Sequence, residues 1–394
     1  MRLSIYNKVQ KWVKLILPFC LFALLPLGGY AQSQEDRYRA IYDQAEHNYS
    51  IGRLDEASQS LKEHLKEFPV SLRTSAYRIL ALCSIGQDVW LSTSNTEEVG
   101  GDGCPKLVEE LIRRGVRPYI VNDEGGSIVT EPMAGIIGNY AMIGVLEKGQ
   151  GNLLISARSN GGHSSYPPKN SPIVRLSEFV TELSQHSPMR SQMNRQAKEM
   201  FEAMAPYGPF YLRLLFGNLW LFKPLLVKLM PSISPQAAAL LKTTVAPTMQ
   251  TGSDGCNVLP QEATLTLNLR YILHQGMAES NAAIERLAKK YDLTVKVIDA
   301  YDFCEPVDTQ SDAFRLVERV IGEVFPNLPC IPYVMTGGTD ARHYQRICGA
   351  CIRFSPVVYG PAQMKGMHGL NEYLDTYSLP GAVDYYRTLI QRNV

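Results

Sequence analysis

A surplus of charge of either sign is what this 394-residue chain lacks most plainly: 39 basic residues face 38 acidic ones, a formal net charge of +1. Without a basic excess there is no electrostatic footprint for nucleic acid, which is excluded as a partner. Long apolar runs are also missing. The stretch Leu15 to Leu27 is thirteen residues, short of the ~20 that a bilayer-spanning helix needs, so no stable membrane span is expected. A second Cys-x-x-Cys is absent too. Cys348-Gly-Ala-Cys351 stands alone between Ile347 and Ile352-Arg353-Phe354, which reads as a buried strand end with small core residues rather than a metal knuckle or redox pair.

What the chain does have at its start is the layout of an export signal. Arg2, Lys8, Lys11 and Lys14 precede the apolar run, and Gly29-Tyr30-Ala31 offers a small-residue cleavage site, so residues 1–31 are expected to direct export to the periplasm or the extracellular space. Loss of Cys20 with that segment leaves seven cysteines, which cannot all pair. Residues 32–87 are helical in pattern. Tyr49 to Ala57, followed by Leu61, Leu65, Phe68 and Pro69, is similar to one tetratricopeptide-type helical hairpin, a unit that needs neighbours to stack on. His47 and His64 read as helix-surface residues of that segment.

The stretch from Asp88 to Gly126 organises the rest. Asp88 to Thr93 alternates and carries β-formers, Pro105 suits a first helical turn, and Leu107, Val108, Leu111 and Ile112 share a helical face before Gly115. The pattern predicts a βαβ unit, with a second strand over 117–123. Glu97 with Glu98, and Asp123 with Glu124, would then lie just past the carboxyl ends of neighbouring parallel strands, where open α/β sheets place their chemistry. Adjacent carboxylates can divide labour, one holding a metal while the other takes a proton from metal-bound water. A solvated acidic loop is the plain alternative for either pair.

From Gly149 the texture changes. Strands over 152–158, 245–251, 264–270 and 293–298, with helices over 172–186 and 277–291, spell βαββαβ, a split-βαβ domain with its own core. Gly208 to Met230 is dense in leucine and aromatics but interrupted by Gly217 and Pro224, which fits a buried hairpin or the greasy rim of a pocket rather than a spanning helix. The last ninety residues return to strand and loop. Strands are expected over 332–335 and 352–358. Gly337-Gly338 lets backbone approach a ligand, and Thr339-Asp340-Ala341-Arg342 offers a fork for a carboxylate. His343 and His368 fall here, His368 in a loop between Gly366 and Gly369.

Six ordered stretches, TEEVGGDG, VNDEGG, NGGHSSYPPKNSP, GCNVLP, GGTDAR and MHGLNE, resemble the carboxypeptidase S and N-acyl-amino-acid hydrolase branch of the two-zinc aminoacylases and carboxypeptidases, peptidase family M20; NLWLFKPLL is similar to a segment of that branch. The resemblance implies an α/β fold: an open, mostly parallel-sheet catalytic domain (88–148 and 303–394), incomplete at its N-terminal side, with an inserted ferredoxin-like lid and dimerisation domain (149–302). It implies Glu97 as general base, Glu98 and His368 as ligands of one zinc and Asp123 as ligand of the other. His163 is implied as a lid histidine that reaches across a homodimer to the oxyanion, with Asn257 and Arg342 holding the carboxylate of an N-acyl amino acid or peptide substrate.

One element of the family pattern is missing. No histidine of the seven has Asp two positions later, so the His-x-Asp and bridging Asp ligands of the family have no counterpart, and the helical hairpin occupies their place. A catalytic zinc normally takes three protein ligands. Two readings follow. In one the chain is a zinc-dependent amidohydrolase, with Asp43, Asp55 or His47 as replacement ligands. In the other it is a catalytically dead, truncated or chimeric member that serves as a dimerising binding module.

Overall fold

A computed structural model of the chain describes residues 28–50, 53–69, 89–94, 97 and 100–392. Residues 1–27 of the expected export signal, and 70–88 with the second half of the helical segment, lie outside the described residues. The chain divides into two compact units, Met1–Thr93 with Arg319–Pro326 and Val358–Val394, and Ser94–Glu318 with Asn327–Val357.

The first described elements are helices α1 (Gly28–Ser50) and α2 (Leu54–His64). They close on a small core in which Ala45, Leu61 and Phe68 are fully buried and Tyr38 meets Phe68 edge-on at 5.8 Å. Leu61 and Phe68 bury as the sequence pattern requires. Asp43 pairs with Arg39 at 3.5 Å on an exposed face of α1, and His47 is exposed. The side chain of Asp55 lies outside the described residues.

The larger unit begins with helix α3 (Gly103–Arg113) and strands β1 (Val121–Val129), β2 (Tyr140–Glu147), β3 (Gly149–Arg158) and the short β4 (Gly162–His163). Helices α4 (Pro172–Gln185), α5 (Arg195–Met204), α6 (Phe210–Phe216), α7 (Leu219–Ile233) and α8 (Pro235–Leu241) follow. Strands β5 (Thr244–Thr251), β6 (Val258–Leu259) and β7 (Glu262–Tyr271), helix α9 (Met277–Lys289) and strand β8 (Thr294–Tyr301) complete the insertion. Then come α10 (Asp312–Val324), β9 (Cys330–Met335), α11 (Ala341–Tyr344) and β10 (Cys351–Tyr359), while α12 (Pro361–Gly366) and α13 (Leu379–Arg392) fall in the smaller unit.

Two four-stranded sheets result. In the first, ordered β1-β10-β2-β9, β2 runs parallel to β9 and antiparallel to both β1 and β10, so β1 and β10 share one sense. All eight residues of β2 are buried, as expected for a central strand covered on both faces. Met142 and Leu146 of β2 and Val334 of β9 pack under Met200, Phe201, Phe216, Leu226 and Met230 from α5, α6 and α7. Cys104, Val108 and Leu111 of α3 pack with Tyr344, Cys348 and Cys351. Both cysteines of the lone Cys-x-x-Cys are thus core residues.

The second sheet is antiparallel throughout, in the order β5-β7-β3-β8. This is the split-βαβ arrangement expected from the sequence. Residues of β3 and β7 alternate between buried and half-buried, and Leu153, Ile155, Leu265 and Leu267 meet Phe179 of α4 and Ile284 and Leu287 of α9. The chain enters this domain through Lys148 and leaves it past Tyr301, where Cys304 N–H donates to Glu147 O at 3.1 Å.

Three expectations need correction. Val89–Thr93 forms no strand, and Trp90 and Leu91 are exposed. Alternation specifies a strand only where a ladder is available to satisfy its backbone, and among the described residues none is. The strand expected over 117–123 starts instead at Val121, so Asp123 and Glu124 sit inside the first turns of the β1 ladder rather than past its end. Finally, Pro224 does not interrupt residues 208–230 but is absorbed within α7, whereas Gly217 breaks them as expected into α6 and α7, bent by 103°.

Candidate active site

The best-defined polar cluster lies where β1, the 336–340 loop and α11 meet. Asp123 near the start of β1 accepts the Ala341 N–H on Oδ2 at 2.6 Å, at the first residue of α11. Burial pushes the Asp123 carboxyl up, against hydrogen bonds from the Glu124 and Ala341 N–H groups and the charge of Arg353. Asp340 is also raised, by burial and then by Asp123 beside it, while Ser94 hydrogen-bonds its carboxyl. Ser94 lies three residues before Glu97, which turns back so that its carbonyl accepts Gly100 N–H at 3.0 Å. The Cys104 thiol is pushed up to about 12 by burial and by Asp340 and Asp123. An inert thiol follows, since the thiolate is the reactive form.

Behind this cluster sits a fully buried ion pair, Glu147 of β2 and Arg353 of β10, both with no exposed side chain and 3.1 Å apart. Glu147 also accepts Thr339 N–H on Oε1 at 2.9 Å and Thr339 Oγ1–H on Oε2 at 3.0 Å. Burial pushes the Glu147 carboxyl up, while Arg353 and the Thr339 donors favour its charged form. The pair therefore clamps the loop that carries Asp340, Ala341 and Arg342. Gly126 makes the arrangement sterically possible. A Cβ there would come within 2.2 Å of Met142 O and 2.4 Å of Arg353 O, so the glycine in VNDEGG lets β1 approach β2 and β10.

Arg342 is the next residue out. Its Nη1 donates to Thr339 O at 2.9 Å, and its guanidinium lies 4.8 Å from the centre of the Tyr301 ring, at the end of β8. That distance is within cation–π range. Tyr301 is held in turn by Gln150 through a 3.3 Å hydrogen bond. A planar cation fixed by one carbonyl and one ring still offers donors for bidentate carboxylate recognition.

On the inserted domain, His163 and Asn257 are brought together. β4 pairs with β6 so that His163 stands opposite Val258, and Ser164 N–H donates to Asn257 O at 3.0 Å. His163 is exposed, with Nδ1 2.7 Å from Ser165 Oγ and 3.2 Å from Ser165 N. Because the Ser165 N–H can only donate, Nδ1 is the acceptor in the neutral ring and the proton sits on Nε2.

Two candidates remain, Glu98 and His368. Glu98 lies outside the described residues. His368 belongs to the smaller unit, where it adopts φ +55° between Gly366 and Gly369, a left-handed conformation uncommon for a non-glycine residue and frequent at functional positions. Among the described residues no three of His, Cys, Asp and Glu are grouped so that they could hold a metal ion. Asp123 commits one carboxylate oxygen to Ala341, and its described acidic and thiol neighbours, Asp340 and Cys104, do not complete a donor set. The described residues therefore do not fit a zinc site.

Comparison with known proteins decides the family. The sequence profile described as peptidase family M20/M25/M40 matches residues 81–392. This chain belongs to peptidase family M20. An N-fatty-acyl-amino acid synthase/hydrolase of Xenopus tropicalis is 32% identical over 307 residues, covering 77% of this chain and 60% of the relative. A probable carboxypeptidase S-like protein of Dictyostelium discoideum is 29% identical over 311 residues, with 77% and 59% covered. The M20 chain thus spans about 60% of the length of these relatives. α1 and α2 precede the family match. The fold is that of an M20 metallo-carboxypeptidase from Sulfolobus solfataricus, with TM-score 0.55, 14% identity, and 81% of this chain and 74% of that one covered. Human carnosine dipeptidase 1 gives TM-score 0.50 at 12% identity, with 82% and 71% covered.

Sequence reading missed Glu147, Arg353 and Tyr301. A signal for the first two was present: charges set in the strand-like runs MIGVLEKG and CIRFSP, where a charge is tolerated only if paired.

Proposed function

We propose that this M20 chain is a zinc-dependent hydrolase of the amide bond of N-acyl amino acids or dipeptides. The observation that carries the reading is Arg342, held by Thr339 O and the Tyr301 ring on a loop clamped by Glu147 and Arg353. A substrate carboxylate docks on its free donors, with Asn257 as a second contact. His163, with its proton on Nε2, donates to the carbonyl oxygen as negative charge develops there. Glu97 takes the proton of the attacking water. Zinc enters this proposal through the family alone, and no step here depends on it. His163 acts from the second subunit of a homodimer built on the lid domain, whose sheet leaves β5 and β8 as open edges. Export belongs to the same proposal and is supported by the charge and apolar pattern of residues 1–31.

Release of free amino acid from an N-acyl amino acid by the purified protein tests the reading. Wild type turns over and Glu97→Gln is slowed by about 10²–10⁴. Absence of turnover at high protein concentration overturns it. One observation favours a second reading: the described donors do not form a metal site. In that case the chain binds the same carboxylates without hydrolysing them. About two zinc ions per purified chain, with turnover, support the enzyme; ligand binding with neither zinc nor turnover supports the module.

A further inference from the structure

Helices α6 and α7 carry two apolar faces, and only one of them is used by the core. Leu212, Phe216, Leu219, Leu226 and Met230 are buried over the first sheet. On the outside Phe210 and Trp220 are 79% and 81% exposed, and Leu221, Leu225 and Leu229 are 55%, 48% and 46% exposed. The three leucines repeat every four residues and form one ridge along α7. Monomeric soluble proteins seldom expose so continuous an apolar strip without a partner for it.

The charge around the strip says what that partner is. From Ala205 to Lys242 there is no Asp or Glu, while Arg213, Lys223, Lys228 and Lys242 all fall there, in a chain whose charge is otherwise balanced. Among the described residues Lys223 and Lys228 form no ion pair. Among the described residues no single helix is long and apolar enough to cross a membrane, and α6 and α7 are bent by 103°. An exposed ridge of leucine with Trp220 at its border and the exposed Lys228 beside it has the composition of a helix that lies in the plane of a bilayer interface. A second copy of the chain complements it poorly, because a two-fold contact through this face would set like charges against each other.

We propose that the α6–α7 hairpin docks the protein on an anionic phospholipid bilayer, the Leu221, Leu225, Leu229 ridge entering the acyl boundary and Arg213 and Lys228 meeting the phosphates. Flotation of the full chain tests this, with vesicles of phosphatidylcholine alone and of equal parts phosphatidylcholine and phosphatidylserine. Wild type partitions onto the mixed vesicles at least about tenfold more strongly than onto the neutral ones, and high salt weakens that preference. The variant L221S/L225S/L229S loses at least about tenfold on both vesicles. K228Q loses about fivefold on the anionic vesicles only. All variants share residues 1–31, so any difference arises in the helices. Circular dichroism checks folding, and the Lys228 substitution on the helix surface keeps the test alive if the leucine variant fails it. Equal partition of wild type and the lysine variant, or no preference for anionic vesicles, overturns the proposal. Concentration-dependent dimerisation that L221S/L225S/L229S abolishes, with vesicle binding unchanged, assigns the face to a second copy and overturns it as well.

Discussion

Glu147 and Arg353 meet 3.1 Å apart with no access to water, and the loop that carries Arg342 is held to that contact through Thr339. A buried pair of this kind is costly to break from one side, because the surviving charge is left without compensation. Arg353→Met is expected to lower stability by ~3–5 kcal/mol, read from urea midpoints; a change under ~1 kcal/mol would show that the pair does not hold the strands. Gly126→Ala tests the close approach of β1, since its methyl would overlap two backbone carbonyls. Overpacking against backbone that cannot give way is expected to cost ~3 kcal/mol or more, against under ~1 for an ordinary strand glycine. These positions show what the sequence could and could not disclose. VNDEGG and GGTDAR were visible as site motifs, yet the reason for Gly126 lies in Met142 and Arg353, far away in the chain, and no local pattern encodes that.

Lys148 is a single residue, but its effect belongs to the elements it joins. Placed between β2 and β3 and almost fully buried, it donates from Nζ to Ala239 O at 3.0 Å and Lys242 O at 2.8 Å, at the carboxyl end of α8. Burial, with Arg270 nearby, brings its ammonium from 10.5 down to about 7. Because the folded value lies below the unfolded one, the unfolded chain binds the extra proton between pH 7 and 10.5, and stability rises with pH across that window. Lys148→Met removes this component: wild type should gain up to about 1.4 kcal/mol per pH unit relative to the variant above pH ~7, and parallel urea midpoints from neutral to alkaline pH would refute it. At the start of α5, Asn194 Oδ1 accepts Ala197 N–H at 2.8 Å, so Asn194→Ala should cost ~1 kcal/mol, measured as a shift in thermal midpoint. The inserted domain was legible because its elements keep a clean period: two along β3 and β7, 3.6 along α4 and α9. Val89–Thr93 misled because alternation carries no information about whether a partner strand exists, and the Gly217 break gave no hint of the angle between α6 and α7.

At the scale of the whole chain, six ordered motifs were enough to place the protein in family M20, and the matching fold follows from their order. The ligand set does not follow so readily, because it depends on residues drawn from separate parts of the chain. Asp123 stands in the larger unit, His368 in the smaller one, Glu98 lies outside the described residues, and no His-x-Asp occurs anywhere. In the proposed function, carboxylate binding at Arg342 and metal chemistry are separable, and both proposed readings share the former. Titration of an N-acyl amino acid and of its carboxamide counterpart into the purified protein isolates that shared element. The acid should bind at least about tenfold more tightly, as a charge-assisted contact worth ~1.5–3 kcal/mol requires, and Arg342→Met should erase the difference. Equal affinity of wild type for the acid and the carboxamide would contradict the account.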